Sequence, residues 1–137
     1  MTNQHERGQR PNIVFVMTDQ HRHDRLSCVS GGVPETPNLD RLAREGTLFE
    51  NAYTPSPVCS PARASIFTGQ YPAANGVVSN WLPFRGEAVL FTERLQNLGY
   101  RTAEVGKLHF VPHEKRFGFQ FKKLHDAPYN MYHGDAE

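Results

Sequence analysis

The apolar residues begin as an unbroken run. Behind Pro11-Asn12, the stretch Ile13-Val14-Phe15-Val16-Met17 is continuous and rich in β-branched residues. This predicts a strand buried on both faces, as in a parallel sheet. The run gives way to Thr18-Asp19-Gln20-His21. In open α/β sheets, ligands bind beyond such carboxyl ends of strands. Residues 21–37 are irregular, with Gly31-Gly32 and Pro34. Leu39, Leu42 and Ala43 then recur at helical spacing. Thr36 suits the cap of that helix, Pro37 its first position, and Gly46 its end. Residues 47–53 return to an extended pattern.

Further on, Thr54-Pro55-Ser56-Pro57-Val58 is a stiff lead-in to a second helix starting at Cys59 and stopping near Gly69. Pro61 has its φ preset for a first turn and needs no amide partner there. Ala62, Ile66 and Phe67 are the expected core face. Residues 71–86 look loop-like and hold the only tryptophan, Trp81. From 87 to 98 the pattern is helical again, with Leu90, Phe91, Leu95 and Leu98 on one face and Gly99 ending it. Residues 100–105 predict a short strand, followed at once by Gly106-Lys107-Leu108-His109-Phe110. Residues 111–137 are aromatic and basic with little periodicity.

Strands alternating with helices predict an α/β fold with a mainly parallel sheet flanked by helices. Right-handed crossovers would put the end of the first strand, the mouth of the Cys59 helix and the Gly106 turn on one edge.

The 137 residues suffice for one domain that buries roughly two-thirds of its unfolded surface. Residues 1–10 read as a disordered leader and 11–137 as the folded portion. A net charge of +1 gives no broad electrostatic case for nucleic acid or an anionic membrane. No apolar run approaches the roughly 20 residues of a membrane span. The polar N-terminus lacks the apolar stretch of a signal peptide, so a cytoplasmic location is expected. Cys28 and Cys59 form neither a CxxC pair nor a zinc spacing, and that location argues against a disulfide between them.

Cys59 therefore stands alone at a helix mouth. By residue type it reads as a buried thiol before an ordinary helix, since free cysteine is among the most buried residues. Its surroundings suggest more. Arg63 lies one helical turn on, and a helix start carries N–H donors and partial positive charge. A nucleophile there would face an anion-binding pocket.

Cys59-Ser60-Pro61-Ala62-Arg63, continuing through Thr68-Gly69-Gln70-Tyr71-Pro72, resembles the signature of the sulfatase family. Residues 11–20, 36–76 and 100–110, with Gly106-Lys107-Leu108-His109, are similar to the N-terminal part of a type I, formylglycine-dependent sulfatase of the alkaline-phosphatase-like superfamily. The resemblance implies hydrolysis of small-molecule sulfate esters. Cys59 would be oxidised to formylglycine by a formylglycine-generating enzyme. Its hydrate would attack sulfur, and the second hydroxyl would then expel sulfate and restore the aldehyde. Arg63 would orient the hydrate, Lys107 would contact sulfate, and His109 would assist proton transfer. Asp19, Gln20 and the converted Cys59 would bind a divalent cation, calcium first, with magnesium or manganese as alternatives.

Gln20 stands where many members have a second aspartate. The Asp-Gln pair looks more like the bacterial branch that includes choline sulfatases and phosphonate monoester hydrolases. Phosphonate or phosphate ester hydrolysis is thus the alternative within the fold. A truncated, non-catalytic remnant is the alternative of another class. Full-length members are several times longer, so a missing C-terminal half or an oligomer partner is implied. The chain by itself is expected to bind cation weakly and turn over little ester.

Overall fold

The computed structural model describes residues 10–86 and 88–125 of the chain. These belong to two compact units, Met1–Glu50 and Asn51–Glu137. All of the expected leader except Arg10 lies outside the described residues.

In the first unit, a 3₁₀ turn at His23–Arg25 leads to helix α1, Ser27–Ser30, and then to helix α2, Pro37–Glu45. Thr36 precedes Pro37 as predicted, but its side chain does not cap its own helix. Instead, the Ser27 N–H donates to Thr36 Oγ1 and the Thr36 N–H donates to Ser27 Oγ, both at 2.8 Å. The Ser27 hydroxyl donates to Asp40 Oδ2 at 2.6 Å, and the Cys28 N–H donates to Asp40 Oδ1 at 3.0 Å. Each short helix thus begins on polar groups supplied by the other. Gly46 ends α2 through its N–H to the Leu42 carbonyl. Its φ of −121° is not left-handed. What favours glycine is space, because a Cβ would sit 3.0 Å from the Leu42 carbonyl oxygen.

The strand expected over residues 13–17 does not form. These residues have no regular secondary structure, and Val14 and Val16 are 85% and 80% exposed. A strand exists only as part of a ladder, and no described residue of this unit is in a strand. The extended pattern over 47–53 likewise yields no strand. Ser27 is the one buried residue among those described in this unit.

The second unit carries the core. Helix α3 is Cys59–Thr68, α4 is Pro72–Asn75 and α5 is Phe91–Asn97. Strand β1 is Ala103–Gly106 and β2 is Phe121–Leu124. The strands pair in parallel, with Ala103 opposite Phe121 and Gly106 opposite Leu124. The α/β class and the parallel pairing therefore agree with expectation. The strand predicted over residues 100–105 is shifted by a few residues, and β2 falls in a stretch without visible period.

Helix α3 starts and stops where predicted, with Gly69 left-handed at φ 69°. Its buried face differs. Ser60, Pro61, Arg63, Ala64, Ser65 and Phe67 are buried, whereas Ile66 is 43% exposed and Ala62 only partly covered. Small and apolar residues surround this helix, so hydrophobicity alone does not select a face. Hydrogen bonds of Ser60 and Arg63 draw that side inward.

The predicted helix over 87–98 begins only at Phe91, and Glu87 lies outside the described residues. Leu90 offers no side-chain acceptor. Glu93 Oε2 accepts the Leu90 N–H at 3.0 Å, which fixes the helix start. Leu98, expected in the core, is half exposed.

Phe67, Phe110, Phe117 and Phe119 form the centre of the core with Leu90, Leu108 and Val77. Phe67 stacks on Phe91 at 4.7 Å and meets Phe110 edge-on at 5.3 Å, and Phe110 meets Phe117 at 5.3 Å. Edge-to-face pairs of this kind add to simple burial. No helix of the described residues is long and apolar enough to cross a membrane.

Candidate active site

Parallel neighbours in sequence need a long crossover. Here it spans residues 107–120, and it opens with Lys107 and His109 directly beyond the carboxyl end of β1. Gly106 has φ 118°, a conformation open to glycine, where the chain leaves the strand. The crossover then turns inward, burying Leu108, His109 and Phe110. His109 is left-handed at φ 61°, a region in which histidine is enriched among non-glycine residues.

The start of α3 packs against this turn. The Ser60 hydroxyl donates to the His109 carbonyl at 2.8 Å. The buried Arg63 guanidinium donates through Nη1 to the Lys107 carbonyl. Cys59 is the first residue of the helix, a half-buried free thiol. The second unit thus brings Cys59, Arg63, Lys107 and His109 to one place. Arg63 meets the backbone of the crossover, whereas its spacing from Cys59 had pointed to the helix mouth.

Three further residues build the site and had no signal in a local pattern. Ser60 is 1% exposed, and its N–H donates to Asn80 Oδ1 at 3.0 Å. Val58, at the cap position, supplies no side-chain acceptor. Asn80 thus serves the helix start from a distant loop. Beside it, Trp81 meets His109 edge-on, with ring centroids 4.6 Å apart. His113 lies 5.9 Å from the same indole.

Asp19 and Gln20 belong to the first unit. Both are exposed, and Gln20 is left-handed at φ 53°. Their carboxylate and amide oxygens are the hard donors that calcium or magnesium takes. Calcium takes about 6–8 oxygens. No group of three or more His, Cys, Asp or Glu among the described residues could hold a metal ion. The donor type therefore fits a hard cation, while the number of donors falls short of a full shell.

Arg63 and Lys107 beside a helix start and a buried histidine suit an anionic, tetrahedral group. The Sulfatase family profile matches residues 11–134. The chain belongs to the sulfatase family. This sulfatase chain is 41% identical over 114 residues to the N-acetylglucosamine-6-O-sulfatase of Bacteroides thetaiotaomicron, covering 83% of this chain and 20% of that protein. It also resembles a solved structure described as a complex with its substrate D-glucosamine-2-N,6-O-disulfate. There the TM-score is 0.75 at 40% identity, covering 82% of this chain and 23% of the other. A third likeness is to the phosphonate monoester hydrolase of Agrobacterium radiobacter, with a TM-score of 0.77 at 28% identity, covering 86% and 26%. The fold is that of the sulfatase and alkaline-phosphatase-like superfamily. The chain spans about a fifth to a quarter of the length of these relatives.

Proposed function

We propose that this sulfatase chain carries the nucleophile and part of the anion-binding site for hydrolysis of small-molecule sulfate esters. The observation that carries this is the meeting of the Cys59–Arg63 helix start with the Lys107–His109 turn. Cys59 is the residue to be converted to formylglycine by a formylglycine-generating enzyme. Once converted, it supplies a hydrated aldehyde whose two hydroxyls separate attack on sulfur from release of sulfate.

The other side chains have distinct tasks. Arg63 and Lys107 offset negative charge on the transferred group. The guanidinium is suited to this because it presents five donors in a rigid fork and stays protonated. His109 moves protons at the hydroxyls of the converted residue, the work for which imidazole is the commonest choice. Asp19 and Gln20 would be oxygen donors to a divalent cation, calcium first, with magnesium or manganese as alternatives, and such a cation would supply Lewis-acid chemistry. Sulfated amino sugars, named for two of the relatives, are the first organic groups to test.

A phosphonate ester is the second candidate substrate, favoured by the Gln20 position and by the likeness to the phosphonate monoester hydrolase. The test begins with co-expression alongside a formylglycine-generating enzyme, followed by peptide mass spectrometry. The Cys59 peptide should lose its sulfur while Cys28 stays a thiol. An unmodified Cys59 under those conditions removes the nucleophile assignment. Assays of a full-length enzyme that carries this segment, converted in the same way, with aryl sulfate and phosphonate monoester then rank the two substrates.

A further inference from the structure

We propose that Trp81 is a positioning residue that holds the imidazole of His109 in a single orientation. The proposal rests on the role given to His109 above. Trp81 sits in a loop fixed at both its neck and its tip. At the neck, the Arg85 N–H donates to the Asn75 carbonyl at 2.7 Å, and Asn75 is 1% exposed. Asn75 Oδ1 also accepts the Val77 N–H, and its Nδ2 donates to the Gln70 carbonyl. Gly76 lies so close to Arg85 that a Cβ would stand 2.8 Å from the Arg85 nitrogen. At the tip, Asn80 accepts the Ser60 N–H. The residue after this anchor is Trp81.

Trp81 itself is left-handed at φ 68°. For a bulky side chain this conformation is strained and persists only where surroundings over-determine it. Here it sets the indole against the His109 ring. His109 is left-handed too, and its carbonyl is held by Ser60. The backbone on both sides of the ring contact is therefore held by Ser60, through Asn80 on one side and directly on the other. The ring contact closes this loop of interactions. A histidine that serves proton transfer needs one ring orientation, and the indole supplies the wall that prevents others.

The test uses the 137-residue chain with Trp81→Leu and Trp81→Phe. The His109 ring and its side-chain couplings are followed by NMR. In the parent chain, the ring protons should be displaced by the indole ring current, with couplings of one rotamer. Trp81→Leu should abolish the displacement and average the rotamers, leaving the amides of Leu108 and Phe110 in place. Trp81→Phe should restore the single rotamer. A single rotamer that persists in Trp81→Leu overturns the proposal. So does loss of the Leu108 and Phe110 amide pattern in both variants, which would make Trp81 a packing residue only. The readout needs neither formylglycine nor turnover. A failure of Cys59 conversion would thus count against the sulfatase mechanism and leave the Trp81 result standing.

Discussion

The hydroxyl of Ser60 holds the carbonyl of His109, 49 positions later in the chain, at 2.8 Å. This one bond joins the helix that carries Cys59 to the turn that carries the histidine. Both ends are buried. Ser60→Ala leaves the carbonyl without this donor, and such losses cost about 1–3 kcal/mol. Urea denaturation should register that loss, and Ser60→Thr should recover most of it.

Arg63 and Lys107 separate charge from structure. The Lys107 contact to Arg63 uses a backbone carbonyl, which survives truncation of the lysine side chain. Lys107→Ala leaves that acceptor in place and should therefore cost less stability than Arg63→Ala. Arg63→Ala should cost about 1–3 kcal/mol, since it strips a donor from that carbonyl. In turnover of a sulfate ester by a full-length, formylglycine-converted enzyme that carries this segment, each should lower kcat about 10²–10³-fold, as for loss of one oxyanion donor. Thermal melts and steady-state kinetics distinguish the two effects.

Gly118 packs against the start of α5. A Cβ there would meet the Glu93 nitrogen at 2.5 Å and Thr92 Oγ1 at 2.7 Å, and φ is 76°. Gly118→Ala should therefore destabilise on two counts. The left-handed backbone adds about 1–2 kcal/mol, and overpacking adds about 1–3 kcal/mol. Chemical denaturation compared with Gly69→Ala, which has open space and a similar φ, isolates the packing part.

The aromatic core gives a contrast between neighbours in pattern. Phe110 is 3% exposed and touches Phe67, Phe84 and Phe117. Phe110→Ala should cost about 3–5 kcal/mol. Ile66, apolar but exposed, should tolerate Ile66→Ala at roughly 0.5 kcal/mol. Equal losses in denaturation would contradict the observed face of α3.

Asp40 makes the first unit sensitive to acid. Hydrogen bonds from the Ser27 hydroxyl, then from Thr36 and Cys28, hold its carboxyl below the ordinary value of 3.8. A depressed carboxylate pKa contributes stability above the unfolded value, and this is lost as pH falls through the folded value. The Cys28 amide should therefore exchange with solvent faster as pH drops below about 4, after correction for intrinsic exchange. Asp40→Asn should remove that dependence.

Local signals were legible and distant ones were not. Thr36-Pro37 marked the start of α2, and Pro61 and Gly69 bracketed α3, because caps and breakers act within a turn. The run at 13–17 has strand composition, yet strand formation depends on neighbours that no local pattern contains. Strand β2 was hidden because Lys122 and Lys123 interrupt the apolar pattern. Cys59, Arg63, Lys107 and His109 stood out as two short motifs. Ser60, Asn80 and Trp81 did not, since their contacts reach across 20 to 49 positions.

The Asn80 anchor also orders events during synthesis. Helix α3 leaves the ribosome before Asn80, and well before His109. At about 5–20 residues per second, the 49 residues between Ser60 and His109 take roughly 2–10 s to appear. For that interval the segment around Cys59 lacks its His109 partner, and for the first 20 residues of it Asn80 as well.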